Sequence, residues 1–370
     1  MTVRVWGVGV RRPGSPISTG LATLAVAVAL GGAAGCSLPG AAPSGASDQP
    51  AVTSSIARDS ASADSASTEP SAAPAGSIAS VAVRSTVDEY SWTELSQLAQ
   101  AISAAPDDAA GQAIAIEHHL CNADGTLDGT QVKMLHLEGV PGDPAGIPVQ
   151  IVGFRHDDRA DGAGKAGISF MYANADIAFY MNDDGDEDPY TDSNVGGWEA
   201  SGMRNVLPGV TLKFFPSDLK DLVVPVNKLT NNAGVDAPRE STDAETLPFQ
   251  PVDPAAITVT SDRVWLPSVA ELVDPATLPL GQQYIDAYAP EGSQYQLFAD
   301  LGTRAYEDWS GDPTLIRVMA DGDEAEPVDW WTRSPVPGVG HSFTGVSRYG
   351  VIGGGYAASL ELCIVPGFCL

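Results

Sequence analysis

Forty-four consecutive residues, Ser37 to Ser80, set the limits on what this chain can fold into, because 34 of them are Ala, Ser, Gly, Pro or Thr. A segment of that composition buries too little apolar surface to offset the chain entropy lost on ordering, so it reads as a disordered tether. A flexible chain of this length spans roughly 35–40 Å. Ahead of it stand Arg4, Arg11 and Arg12 with no acidic residue, then an uncharged stretch from Ile17 to Gly35 that contains Leu21–Leu30, built only from Ala, Val, Leu and Thr. A basic flank, a short apolar run and small residues before a break read as an export signal. Whatever core the protein has must come from about 290 residues beyond the tether, enough for one large domain. The expected organisation is therefore a signal segment over 1–36, a tether over 37–80 and one globular domain over 81–370, whose residues 81–126 form a helical N-terminal part.

Ala33-Ala34-Gly35-Cys36 resembles the bacterial lipoprotein box, although the usual Leu is replaced by Ala33. The resemblance implies that the Cys36 thiol is alkylated by a diacylglyceryl group and becomes the new N-terminus. It also implies a palmitate-type lipid anchor on the outer face of the cell membrane, in a Gram-positive bacterium. The membrane is then a partner through lipid alone.

The chain holds 19 Lys+Arg against 47 Asp+Glu, a formal net charge of −28. Such a surface repels phosphate backbones, so nucleic acid is excluded as a partner, while cations and basic ligands are favoured. Besides Cys36 there are Cys121, Cys363 and Cys369. In an oxidising compartment two of them are expected to pair, in any of three combinations. No Cys or His spacing suits zinc.

Trp92, Leu95, Leu98, Ala99 and Ile102 recur at helical spacing, and Gly111–Leu120 reads as a second helix closed by Asn122-Ala-Asp-Gly125. Val132–Leu137, Ile147–Phe154 and Ile168–Tyr172 read as strands. Trp198–Leu207 reads as a short amphipathic helix with Trp198, Met203, Val206 and Leu207 inward, and Ser217–Val223 as a turn or two of helix begun by Ser217. Short strands are expected at Arg263–Leu266, Tyr295–Phe298, Asp329–Arg333 and Leu360–Val365. The fold class is α+β, irregular and loop-rich, with mostly antiparallel sheet and a few short helices. No βαβ alternation supports a doubly wound fold.

Sites are sparse. Gly162-Ala-Gly-Lys165-Ala-Gly167 lacks the spacing and the Ser or Thr of a phosphate loop. Asp183, Asp184, Asp186, Asp188 and Asp192 could gather oxygen ligands for Ca²⁺, but Pro189 stands where a calcium loop needs Gly. His156-Asp157-Asp158 is the most site-like polar cluster, an imidazole beside two carboxylates at a strand exit. The competing account is a turn in which Asp side chains bond the backbone.

Several segments taken in order resemble an uncharacterised domain of unknown function found on surface proteins and lipoproteins of Gram-positive bacteria. They are Leu127–Thr130, Ile151–Asp158, Gly164–Ile168, Gly196–Glu199 with Met203-Arg204, Pro216–Leu219, Val226-Asn-Lys228 and Trp330-Trp-Thr-Arg-Ser-Pro335. The motif layout is similar to C-type-lectin-like folds, and the chain departs from the family pattern at Val365. On a strand Trp330 and Trp331 would alternate faces, leaving one exposed, with Arg333 on the side of Trp331. Trp331, Arg333 and Ser334 would then form a stacking platform for a glycan or peptide. The resulting expectation is a lipid-anchored surface binding or adhesion module without a resident cofactor. The rivals are an envelope enzyme working from His156-Asp157-Asp158 and a ligand-free structural protein.

Overall fold

A computed structural model describes residues 81–139, 146–182, 193–232, 256–306, 308, 310–321 and 324–370. The expected signal segment with Cys36, the expected tether and the acidic run Asp183–Asp192 lie outside the described residues.

Helix α1 (Trp92–Ser103) begins at a reciprocal cap, in which Ser91 accepts from the Glu94 N–H and Glu94 accepts from the Ser91 N–H. Its apolar stripe of Trp92, Leu95, Leu98, Ala99 and Ile102 is buried, as the spacing predicts. Helix α2 (Asp108–Glu117) starts three residues earlier than the sequence indicates, because the Asp107 side chain caps it. It ends where His119 turns left-handed at φ 53° and the Leu120 N–H reaches back to Ala115 O, a Schellman closure.

Two five-stranded sheets follow. The first runs β1 (Val132–Leu135), β2 (Ile147–Phe154), β3 (Ile168–Tyr172), β14 (Gly367–Cys369), β7 (Val264–Trp265), with every pairing antiparallel. The second runs β12 (Ile352–Ala357), β11 (Ser342–Val346), β10 (Trp330–Pro335), β13 (Leu362–Cys363), β4 (Ala178–Phe179), and only the β10–β13 contact is parallel. Two hairpins stand apart: β5 (Val226–Asn231) with β6 (Ile257–Asp262), and β8 (Arg317–Asp321) with β9 (Glu324–Val328). The helices between them are short: α3 (Gly197–Ala200), α4 (Gly202–Val210), α5 (Ser217–Lys220), α6 (Val269–Leu272), α7 (Gln282–Tyr288) and α8 (Gln296–Asp300). The protein is thus a mixed α+β fold with several antiparallel sheets. None of its described helices is long and apolar enough to cross a membrane.

Helix α1 covers the first sheet through aromatic contacts. Trp92 meets Phe170 edge-on at 5.8 Å and Phe368 at 6.0 Å, and Phe170 stacks on Phe368 at 5.3 Å. The approach is close enough that a Cβ on Gly167 would lie 1.9 Å from Ala99 O, so a side chain there is excluded. Residues 81–126 therefore pack into the same core as the sheets.

Three local expectations are corrected. Tyr295–Phe298 is not a strand: Tyr295 caps α8, and Leu297 and Phe298 are buried from a helix. Val206 faces outward at 39 % exposure, because α4 buries Met203 and Leu207 only. The cap before α5 is Pro216, and Ser217 is already helical.

Candidate functional site

The end of β2 delivers the first component. Arg155 takes a left-handed φ of 49°, held there by its Nη1 bonds to Ile102 O (3.0 Å) and Ser103 O (2.6 Å) and its Nε bond to Asp108 (2.9 Å). Beyond that kink Asp157 turns inward and Asp158 outward. Asp157 Oδ1 accepts from Lys228 Nζ at 2.5 Å, and Oδ2 accepts from Ser169 Oγ at 2.6 Å. The Tyr295 hydroxyl lies 3.1 and 3.0 Å from the two oxygens, and Cys369 Sγ is 3.3 Å from Oδ2.

Lys228, on β5, is 1 % exposed. Its ammonium also donates to Glu271 Oε1 (3.0 Å) and Tyr295 OH (2.7 Å), and sits 3.6 Å from the Trp265 ring centre. Glu271 closes the cap of α6 by accepting from the Ser268 N–H, and turns the same carboxylate to Arg333 with a bidentate pair of 2.5 and 3.1 Å. Arg333 directs its remaining donors to Leu229 O, Leu266 O and Glu291 O. The result is an alternating chain, Asp157⁻–Lys228⁺–Glu271⁻–Arg333⁺, buried and neutral in sum.

The electrostatics follow from that order. Burial pushes the Asp157 carboxyl up, but the Lys228 and His156 charges outweigh it and hold the group well below the usual range. Glu271 is likewise raised by burial and pulled down, net, by Arg333 and Lys228. Glu291 has no such surplus. Burial raises it to about 7, although Arg333, Ser334 and the Asn231 N–H act the other way. With two cations already matched by two carboxylates, a third negative charge would be uncompensated, which accounts for the direction. The Cys369 thiol and the Tyr295 hydroxyl are pushed well above their ordinary ranges, chiefly by burial, and both face Asp157 as proton donors.

The expected stacking platform is overturned. All six residues of β10 are buried, with Trp330, Trp331, Arg333 and Ser334 at 0 % exposure. Alternation along a strand exposes one face only if nothing covers it, and β10 lies in the middle of its sheet with α3, α6 and β5 packed against it. Trp331 Nε1 donates to Phe179 O at 2.8 Å, and Trp330 Nε1 to Leu315 O at 3.1 Å. Ser334 Oγ accepts from the Val269 N–H and bonds Glu291. This motif is framework: Arg333 and Ser334 fasten α6 and the Glu291 turn to the sheet.

The structure also separates His156, Asp157 and Asp158. The His156 ring lies tilted against Tyr295, with centroids 4.1 Å apart; its Nε2 is 3.0 Å from Ser293 O, and its Nδ1 is 3.5 Å from Asp157 Oδ1. Asp158 is exposed and faces Lys165 at 3.5 Å. They do not converge on one reacting atom. Cys121, Cys363 and Cys369 are buried free thiols, which corrects the expected disulfide. The Ca²⁺ expectation at Asp183, Asp184, Asp186, Asp188 and Asp192 lies outside the described residues, and no group of three metal-ligating side chains occurs among the described ones.

Sequence reasoning assigns no role to Lys228, Glu271, Tyr295 or Glu291. Lys228 is visible within Val226-Asn-Lys228, and Ser268-Val-Ala-Glu271 carries the spacing of a capping box. A charged residue in the middle of a strand is the available signal.

Open concave surface lies elsewhere. One cleft of about 400 Å³ is bounded by α1, the loop after Asp158, the segment after α5 and the end of β14. Leu222, Val224 and Leu370 form its apolar part, with Gln100, Arg159 and Asp221 at its rim. Arg159 is already paired with Asp161 at 2.5 Å, whereas the Asp221 side chain has no bond to any described residue. A second cleft, about 390 Å³, is lined by His119, Asn122, Thr130 and Gln131. Its amides are engaged locally: Gln131 donates to Asn122 and Thr130, and Asn122 to Thr126.

Residues 170–370 match the family model described as a domain of unknown function (DUF6273). No curated protein and no solved structure matches the chain.

Proposed function

The chain belongs to the DUF6273 family, and from that premise we propose that it is a binding module of an exported, lipid-held surface protein. Its ligand, a peptide carrying a basic side chain, sits in the cleft beside α1. The observation that carries this reading is the cleft's make-up, an apolar lining of Leu222, Val224 and Leu370 beside the exposed carboxylate of Asp221. An overall charge of −28 draws cationic ligands toward that rim. The buried charge chain supports the reading indirectly, since every member is saturated by its neighbours and serves to hold the surface in shape. A C-type-lectin-like arrangement of residues 170–370 belongs to the same proposal and rests on motif layout.

The test is a fluorescence or NMR titration of the full chain with a short Lys-Leu peptide, run beside a chitin oligosaccharide. Saturable peptide binding is expected, weakened up to about fivefold by Asp221→Asn, the worth of an exposed ion pair. Leu222→Ser should weaken it further. Peptide binding unchanged in both variants, or binding of the sugar alone, would remove the peptide from this cleft.

A further inference from the structure

Arg317, the first residue of β8, is 5 % exposed and its charge is answered by no carboxylate among the described residues. Its Nη1 donates to Thr314 O at 2.8 Å and Ile316 O at 3.0 Å. The guanidinium carbon lies 5.6 Å from the Trp330 ring centre and 5.9 Å from that of Phe298. Nε and Nη2 are buried without a hydrogen-bond partner among the described residues. Burial alone acts on the group and brings it down only to about 10, so it stays cationic at neutral pH.

Lys228 and Arg333 are as deeply buried, and each has a carboxylate against it. Buried Lys133 also lacks an ion pair, but it donates to two backbone carbonyls and has the charges of Asp88, Asp218 and Glu94 near it. Arg317 has no such acidic neighbour among the described residues. An isolated buried charge costs several kcal/mol unless it is paired. The idle atoms also have a pattern. Nε–H and the Nη2–H beside it are the parallel donors of one guanidinium edge, the edge that matches the two oxygens of a planar carboxylate. The aromatic faces favour a cation and disfavour an anion, so an anion is accepted only in the guanidinium plane. A single negative charge would neutralise the site, whereas a phosphate dianion would leave a buried excess.

We propose that Arg317 anchors a carboxylate-binding site, taking a small organic acid or the acidic side chain of a peptide on its Nε/Nη2 edge. This site is separate from the cleft beside α1. Because β8–β9 is a two-stranded hairpin outside both large sheets, entry needs only local opening there.

The test follows the Arg317 Nε–H resonance by ¹⁵N NMR in the full chain, with sodium acetate and with a blocked glutamate peptide, against sodium chloride at equal ionic strength. A saturable shift with acetate identifies a small acid as sufficient, and a shift with the peptide alone identifies an acidic peptide. Both support the site. Melting temperature should rise with the same ligand in the wild type and not in Arg317→Lys. If that variant fails to fold, the wild-type resonance decides. Equal responses to chloride and to both carboxylates, or an unchanged thermal shift in a folded Arg317→Lys protein, would overturn the proposal.

Discussion

Replacing Glu291 by Gln should change how stability depends on pH more than it changes stability itself at low pH. In the fold the Glu291 carboxyl is buried and raised from 4.5 to about 7. The folded state therefore holds a proton that the unfolded chain releases between those values, and stability falls as pH rises through that window. It is fully retained below 4.5 and levels off above 7. The whole displacement corresponds to about 3 kcal/mol, and between pH 5 and pH 8 to about 2.5 kcal/mol. The amide introduced by Glu291→Gln has no ionisation; its oxygen can still accept from the Asn231 N–H, while the bond with Ser334 Oγ, which donates to the carboxyl, is reversed, the amide NH2 donating. Urea unfolding of wild type and Glu291→Gln at pH 5, 6, 7 and 8 measures the effect, because other titrating groups cancel in the difference. The variant should gain on wild type by about 2.5 kcal/mol across the series. Parallel profiles would refute the reasoning, since they would mean that Glu291 keeps one protonation state throughout and that the charge balance of the network is misread.

Lys228→Met leaves Asp157 buried without its cation and should cost about 3–5 kcal/mol in urea unfolding, much of it restored when Asp157→Asn is added; strictly additive losses would show that the two side chains do not act as a pair. On the proposed lipid anchor, the wild type should take label from a radioactive fatty acid and Cys36→Ala should not; an unlabelled wild type or a labelled variant would refute an anchor at Cys36.

Local periodicity is the legible part of this fold. The α1 stripe from Trp92 to Ile102 is buried as its spacing requires. The strands Ile147–Phe154 and Ile168–Tyr172 form with the expected bounds, and the strand from Val132 ends at Leu135, two residues short of the expected end. Tyr295–Phe298 misleads because three apolar or aromatic residues around Gln296 fit either period, and Tyr295 is drawn inward by the Asp157 carboxylate. The Trp330–Pro335 segment is readable as a strand, but the covering of both its faces depends on elements far away in sequence. The charge chain is least legible of all, since Lys228 lies 71 residues from Asp157 and 43 from Glu271. Glu271 can be seen as a helix cap, and it is one. That the same carboxylate also clamps Arg333 is a property of the assembled core alone.

The strand order of the first sheet has a bearing on how the protein meets proteases. β14 sits between β3 and β7, so Phe368 lies opposite Phe170 across almost two hundred residues of intervening chain. A cut that frees β14 removes a central strand and opens two unprotected edges, one on each side of the gap. A nick in a surface loop can leave the sheet closed while its ends stay bonded. Loss of the short run Gly367–Cys369 should not, and the fragment left behind would be prone to pair with another chain.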